Sequence, residues 1–234
     1  MLNQYFERMV DVVLSNRGVL DKFIGDAIMA LFGVPFNGER DADDAVRVAN
    51  GMFRALSLLN AQRVAGGVDA IGIGVGISTG VVVVGNIGSP KRMEYTVIGD
   101  PVNLALRLEG VTKTYGSKVL ISEATRLELK EQHLLREIDL LRVKGKHEPV
   151  AIYEAMDHFT DETFPNLQRA VVQFNEGIRC YRGQRWNDAI ACFQEVLSLN
   201  PDDRPSKVFV ERAEIFRQTP PSPDWDGVWV MTEK

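Results

Sequence analysis

Cysteine is scarce in this chain, with Cys180 and Cys192 the two among 234 residues. Two cysteines cannot build a disulfide framework, and neither belongs to a C-x-x-C pair. A disulfide-stapled secreted fold and a thioredoxin-like redox motif are therefore excluded. The two read as small core residues in a reducing compartment. Histidine is nearly as scarce: His133, His147 and His158 stand at no zinc-ligand spacing. Clusters of Lys and Arg are missing as well, and the net charge is −5, so no nucleic-acid partner is expected. A membrane-length apolar run is also lacking. The most apolar stretch, Ala70 to Gly85, is shorter than the roughly 18 residues a membrane helix needs. It is dotted with glycine and alternates with a period of two, which reads as strand. No signal peptide opens the chain, and the chain by itself reads as soluble and cytoplasmic.

What remains is the composition of an ordinary globular protein, 45% hydrophobic and 25% charged, of a length that suits one domain plus an appendage. From Leu2 to Leu14, apolar Tyr5, Met9, Val12 and Val13 recur at helical spacing. Two apolar runs between Val19 and Phe32 flank Gly25-Asp26 and predict a β-hairpin with those residues at its tip. Asp41 to Asp44 open a helix whose buried stripe would be Ala45, Val48, Met52, Leu56 and Leu59. Val68 to Ile77 and Val81 to Ile87 predict a second hairpin turning at Ser78-Thr79-Gly80. Tyr95 to Ile98 reads as a short strand, and Asp100-Pro101 as N-cap and first position of a helix reaching about Thr114. Lys118 to Ile121 predicts a strand, Glu123 to Lys130 a helix, and Leu134 to Tyr153 mostly strands. This order argues an α+β fold with an antiparallel-rich sheet. The pattern turns purely helical from Asn166, and Pro220-Pro221-Ser222-Pro223 precedes a tail holding Trp225 and Trp229.

Four sets of residues could carry chemistry. Asp26, beside glycine at a tight tip, reads either as a turn former or as a carboxylate positioned for a hard cation such as Mg²⁺. Asn103 and Arg107 stand four apart in the first two turns of one helix and so share a face. A guanidinium there can fork onto phosphate, or simply pair with Glu109 or Glu94. Lys22 reads as a solvated strand lysine or a ligand contact, and Lys144 and Lys146 as a charged turn or a phosphate contact.

Their combination carries a resemblance. The string from Leu20 to Ala30, LDKFIGDAIMA, resembles the metal-binding hairpin of class III nucleotide cyclases. The string from Tyr95 to Glu109, YTVIGDPVNLALRLE, resembles that family's transition-state helix, and Val143-Lys144-Gly145 falls where the family places a triphosphate lysine. The resemblance covers roughly residues 2–156. It implies a ferredoxin-like, palm-type cyclase domain over residues 1–158 that works as a head-to-tail homodimer. It further implies that Asp26 is a metal aspartate, that Lys22 and Thr96 read the purine, that Asn103 orients the ribose, that Arg107 stabilises charge on the α-phosphate and that Lys144 binds the triphosphate.

The implied reaction is attack of the ribose 3′-hydroxyl on the α-phosphorus with release of pyrophosphate, assisted by two Mg²⁺ or Mn²⁺ ions. A lysine donor beside a hydroxyl acceptor suits the adenine edge, so ATP is the expected substrate. The Thr form at position 96 resembles a subgroup often responsive to bicarbonate. The family's first metal aspartate lies on a strand ahead of the first helices, whereas this sequence opens within those helices. Asp11 sits on a helical segment and Asp21 on a different strand, so the resemblance predicts a domain lacking its first strand and one metal ligand.

Phe174, Gly177, Tyr181, Gly183, Trp186, Ala189, Ile190, Phe193, Leu197 and Asn200-Pro201 resemble a single tetratricopeptide repeat within a helical region at 166–218. One repeat cannot bury its own face. It must lean on a third helix near Pro205 to Arg217, on the cyclase domain, or on a protein partner. The tail at 219–234 is expected to dock as a strand, with aromatic packing as the alternative. Three functions compete: an adenylate cyclase, an incomplete cyclase-homology module that dimerises or regulates, and a diguanylate cyclase. Against the last, the hairpin tip lacks a Gly-Gly-(Asp/Glu)-Glu-Phe pattern. Cyclases with this ending imply a longer parent that carries a sensor and a membrane anchor.

Overall fold

The structure, a computed structural model, describes residues 1–142, 149–222 and 224–228. Helix α1 (Leu2–Ser15) buries Met9 and Val13, which its 3.6-residue period places on one face. Strands β1 (Val19–Ile24) and β2 (Ala27–Leu31) pair antiparallel around Gly25-Asp26, which is the hairpin expected. Helix α2 (Asp41–Ala65) buries Ala45, Val48, Met52, Leu56 and Leu59, again as the stripe predicts. Its acidic first turn does more than face the helix N-terminus. Asp43 is fully buried and its carboxylate accepts from the Lys130 and Glu131 amides, tying the start of α2 to a distant loop.

The second expected hairpin does not form. Strand β3 (Val75–Ile77) pairs parallel with β6 (Val119–Ser122), and β4 (Val83–Ser89) pairs instead with β5 (Arg92–Ile98). The turn falls at Pro90-Lys91, between the paired Ser89 and Arg92. Two features explain the difference. Proline at a turn position presets the backbone and cannot sit inside a strand. Gly76 lets β3 press against the backbone of α3 (Asp100–Tyr115): a Cβ there would lie 2.2 Å from the Ala105 carbonyl oxygen. Gly99 rather than Asp100 takes the N-cap of α3, and Asp100 and Pro101 open the helix itself.

Helix α4 (Glu123–Glu128) and strands β7 (Leu135–Leu141) and β8 (Val150–Ala155) complete the α+β part. The strands fall into three groups: β1-β2, β4-β5, and a four-stranded sheet ordered β3-β6-β8-β7. All pairings except β3-β6 are antiparallel. Between β2 and β3 there is no pairing. A cavity of about 1440 Å³ lies there, lined by residues of β2 and β3, with α2 and α3 also contributing to its walls.

Helices α5 (Leu167–Arg182), α6 (Trp186–Leu199) and α7 (Arg204–Gln218) follow. The α5-α6 hairpin leans on both of its available intramolecular supports. One continuous apolar cluster runs from Leu104, Leu108 and Leu120 through Ile138 and Ile152 to Phe174, Tyr181, Phe193, Phe209 and Ala213. Two buried arginines cross the same boundary. Arg136 on β7 pairs with Glu154 on β8 and with Asp203 at the N-cap of α7, at 2.7 and 2.8 Å. Arg212 on α7 donates to Asp139 at 2.6 Å and to the Tyr115 hydroxyl at 3.2 Å. Burial alone would weaken such charges, but Glu154 and Asp203 around Arg136, and Tyr115 with Asp139 around Arg212, prevail and hold both guanidinium pKa values above the ordinary one.

The sequence predicts a tail docked as a strand; of that tail, residues 223 and 229–234 lie outside the described residues. Residues 224–228 form no strand. Trp225 instead packs edge-on against Tyr181 and Phe216, with ring centroids 5.4 and 5.1 Å away, and lies 5.9 Å from the Trp186 ring. An indole carries a large apolar area, and three neighbouring rings cover it here. Both cysteines are buried and free, as their composition reading requires.

Candidate active site

The β1-β2 and β4-β5 hairpins meet through their polar side chains. A bulge between Leu20 and Lys22 interrupts the register of β1, so that Leu20 faces Ala30 while Lys22 faces Met29. Bulges re-aim side chains, and here Lys22 Nζ comes within 3.7 Å of Asp21 Oδ2 and 3.3 Å of Glu94 Oε2 on β5. Two residues along β5, Thr96 is buried and its Oγ1 donates to the same Asp21 oxygen at 2.9 Å. The fold thus brings Lys22 and Thr96 into one cluster with Asp21 between them. Lys22 is thus held by two carboxylates while its side chain stays about one-third exposed (33%). Arg92 and Lys22 hold the Glu94 carboxyl below the usual carboxylate range. Asp21 and Glu94 are the members that motif reasoning missed. The sequence offered one signal, the charged pair Asp21-Lys22 inside a strand otherwise apolar on both sides.

Asp26 is exposed at the hairpin tip, and its side chain makes no hydrogen bond or ion pair among the described residues. Its charge reaches α1: burial first, and then Asp26, push the Tyr5 hydroxyl pKa up. Asp26 and Asn103 both line the cavity between β2 and β3, whereas Lys22, Thr96 and Arg107 lie off it. This cavity and the polar cluster are therefore lined by different side chains. Asn103 and Arg107 are exposed on the first two turns of α3. Neither side chain has a hydrogen-bond or ion-pair partner among the described residues, so the surface pairing of Arg107 with Glu94 or Glu109 does not occur; Glu94 is held by Arg92 and Lys22. Lys144 and Lys146 lie outside the described residues.

An unpaired carboxylate at an exposed tip fits a hard divalent cation, because Mg²⁺ is commonly held by one or two carboxylates plus substrate phosphates. The chain offers another carboxylate-rich group in Asp43, Glu131 and His133, whose ligand atoms lie within 4.8 Å of one another. Its donors and acceptors are already used. Asp43 takes two backbone amides and faces His133 Nε2 at 3.0 Å, Glu131 holds Arg40 and Arg47, and His133 Nδ1 lies 2.8 Å from Asp157. Burial would raise the Asp43 pKa, but the Glu131 and Lys130 amides and His133 override it and keep it below the usual value. This group ties loops together.

Among the described residues no helix is long and apolar enough to cross a membrane. The family model for the "Adenylate and Guanylate cyclase catalytic domain" matches residues 1–157. The "Adenylate cyclase, terminal-differentiation specific" of Dictyostelium discoideum is 33% identical over 215 residues, covering 90% of this chain, which spans 10% of that protein. That match extends beyond the family model into the helical region. The adenylyl cyclase CyaB from P. aeruginosa superposes with a TM-score of 0.57 at 36% identity, over 67% of this chain and 80% of that one. The guanylyl cyclase Cya2 does so with a TM-score of 0.57 at 38% identity, over 66% and 77%. With that match over two thirds of its length, and with the hairpin and helix motifs standing where the fold needs them, this chain belongs to the class III adenylate and guanylate cyclase catalytic domain family.

Proposed function

We propose that this chain is the catalytic region of an adenylate cyclase, converting ATP to cyclic AMP and pyrophosphate in signal transduction. The observation that carries the choice of ATP is the Lys22-Asp21-Thr96 cluster, in which an ammonium donor stands beside a hydroxyl whose proton is already committed. Lys22 meets adenine N1 and Thr96 meets the N6 amine. Asn103 orients the ribose, Arg107 neutralises charge developing on the α-phosphate, and Lys144 holds the triphosphate. Asp26 holds Mg²⁺ or Mn²⁺, which when bound supplies Lewis-acid stabilisation to the phosphoryl oxygens. Thr at position 96 supports assignment to the Lys/Thr purine-site subgroup.

The site forms between two copies of the chain. Exposed Phe23, Ile24, Met93, Tyr95, Ile98 and Leu106 favour this, because apolar side chains gathered on two hairpins and α3 are what a second copy would cover. Residues 1–158 are the cyclase domain, residues 166–218 a tetratricopeptide-like region, and 219–234 its tail. A protein partner would meet the helical region on outward side chains such as Val172. A second reading has its own support in the unpaired edges of β2 and β3 and the cavity between them. Under it the domain lacks a strand and one metal ligand, and alone acts as a dimerising or regulatory module.

The experiment is cyclic AMP production from ATP and Mn²⁺ by the purified chain, repeated with the coding region extended upstream. Arg107→Ala should lower the rate by about 10²-fold or more, and Asp26→Ala should abolish it. Turnover by the extended form alone supports the second reading for the isolated chain. No cyclic AMP from either form, or an Asp26→Ala variant as active as its parent, removes the enzyme reading.

A further inference from the structure

We infer that Asp21 sets the nucleotide selectivity of this chain by committing the Thr96 hydroxyl proton, which leaves the Thr96 oxygen able only to accept. The inference rests on the adenine reading above and deepens it. A hydroxyl carries one proton and two acceptor lone pairs, and a carboxylate only accepts. Thr96 Oγ1 donates to Asp21 Oδ2 at 2.9 Å, so its proton points inward and its lone pairs are what a base can meet.

The direction of that one bond decides between purines. Adenine offers an N6 amine that donates and an N1 that accepts. Guanine offers an O6 that accepts and an N1–H that donates. An acceptor-only Thr96 beside a donor-only Lys22 complements adenine at both positions. Against guanine it sets lone pairs toward O6 and an ammonium toward N1–H, so the same arrangement rejects the competitor as well as holding the substrate. A Thr96 hydroxyl free to rotate would donate to O6 and remove half of that opposition.

Asp21 is built for this role. It is the residue at the β1 bulge, with no cross-strand partner of its own. In an uninterrupted strand Asp21 and Lys22 would face opposite sides; the bulge brings their charged ends to 3.7 Å. Its side chain is 3% exposed. A carboxylate so buried is costly unless paired and hydrogen-bonded, and Thr96 with Lys22 provides both. Asp21 is a positioning residue, since it acts on the base through Thr96.

The test is the ratio of GTP to ATP dissociation constants, measured by competition against a fluorescent ATP analogue with Mg²⁺ on the full chain. The parent chain should prefer ATP, and Asp21→Leu should lower that preference by roughly tenfold, the value of one discriminating hydrogen bond. Asp21→Asn, whose amide oxygen still accepts from Thr96, should retain most of the preference. Asp21→Ala serves the same purpose if leucine does not pack. In a Thr96→Val background, Asp21→Leu should change the ratio no further. An unchanged ratio in Asp21→Leu or Asp21→Ala overturns the inference. So does an equal shift on the Thr96→Val background, which would mean that Asp21 acts through Lys22 or on the fold at large, and not through Thr96. A parent chain that binds both nucleotides alike, or neither, fails earlier and overturns the adenine reading itself.

Discussion

Single side chains in this protein are tuned by their nearest charges. His158 lies between the rings of Phe53 and Phe159, at 5.1 and 4.1 Å, with the Lys118 ammonium over the same rings. Burial and, second, the Lys118 charge push its pKa down to about 4. The unfolded chain takes up that proton near pH 6.5 and the folded one only near 4, so stability is lost as pH falls through that window, by about 2–3 kcal/mol for this one group. Urea midpoints measured from pH 7.5 to 4 should therefore fall less steeply in His158→Gln than in the parent chain. At this scale the sequence was readable in part. Lys22, Thr96, Asn103 and Arg107 were nameable because each belongs to a contiguous motif. Asp21, though inside the first motif, and Glu94, just before the second, could not be joined to them, because their partners are about 75 residues away and the bulge that aims Asp21 leaves no mark in hydrophobic periodicity.

Among the elements, α1, the first hairpin, α2 and the three C-terminal helices follow from local pattern. Each has a strong stripe or a turn residue at its end. The β3-β4 connection did not, since Val68 to Ile87 alternates throughout and local alternation cannot tell a hairpin from a crossover. A parallel β3-β6 pair depends on distant helices, with α3 pressed against Gly76 and Val46 and Ala49 of α2 packed on Val119 and Ile121. Contact between α5 and α6 likewise depends on one small residue. A Cβ on Gly177 would lie 2.6 Å from the Phe193 ring, itself fully buried against Phe174 and Phe209. Gly177→Ala should improve helix propensity and still destabilise the protein by about 1–3 kcal/mol, because overpacking outweighs the smaller gain of roughly 1 kcal/mol. Chemical denaturation checks the sign, and a stabilised variant would show that the two helices can part without cost.

Across the whole molecule, the helical region and the four-stranded sheet share one apolar cluster and two buried arginine networks. Removing one partner from a buried charge pair strands the other, which costs about 3–5 kcal/mol. Arg212→Met should lower stability by that order. It should do so in one transition, with Trp fluorescence, which reports the helical region, and far-UV circular dichroism, which reports every helix and strand, moving together. Two separated transitions would show that the regions fold apart. Arg212→Met with Asp139→Leu should recover part of the loss, since the Asp139 carboxylate is then no longer stranded.

Because Leu120, Ile138 and Ile152 are covered by Phe174, Phe209 and Ala213, the order of synthesis acquires a consequence. At about 5–20 residues per second, the ribosome reaches Ala213 roughly 3 to 11 s after it passes residue 158. During that interval the nascent sheet carries a bare apolar face, attractive to chaperones. Only when α7 emerges can that face be covered, so a chain released early would leave Leu120, Ile138 and Ile152 without their Phe209 and Ala213 neighbours.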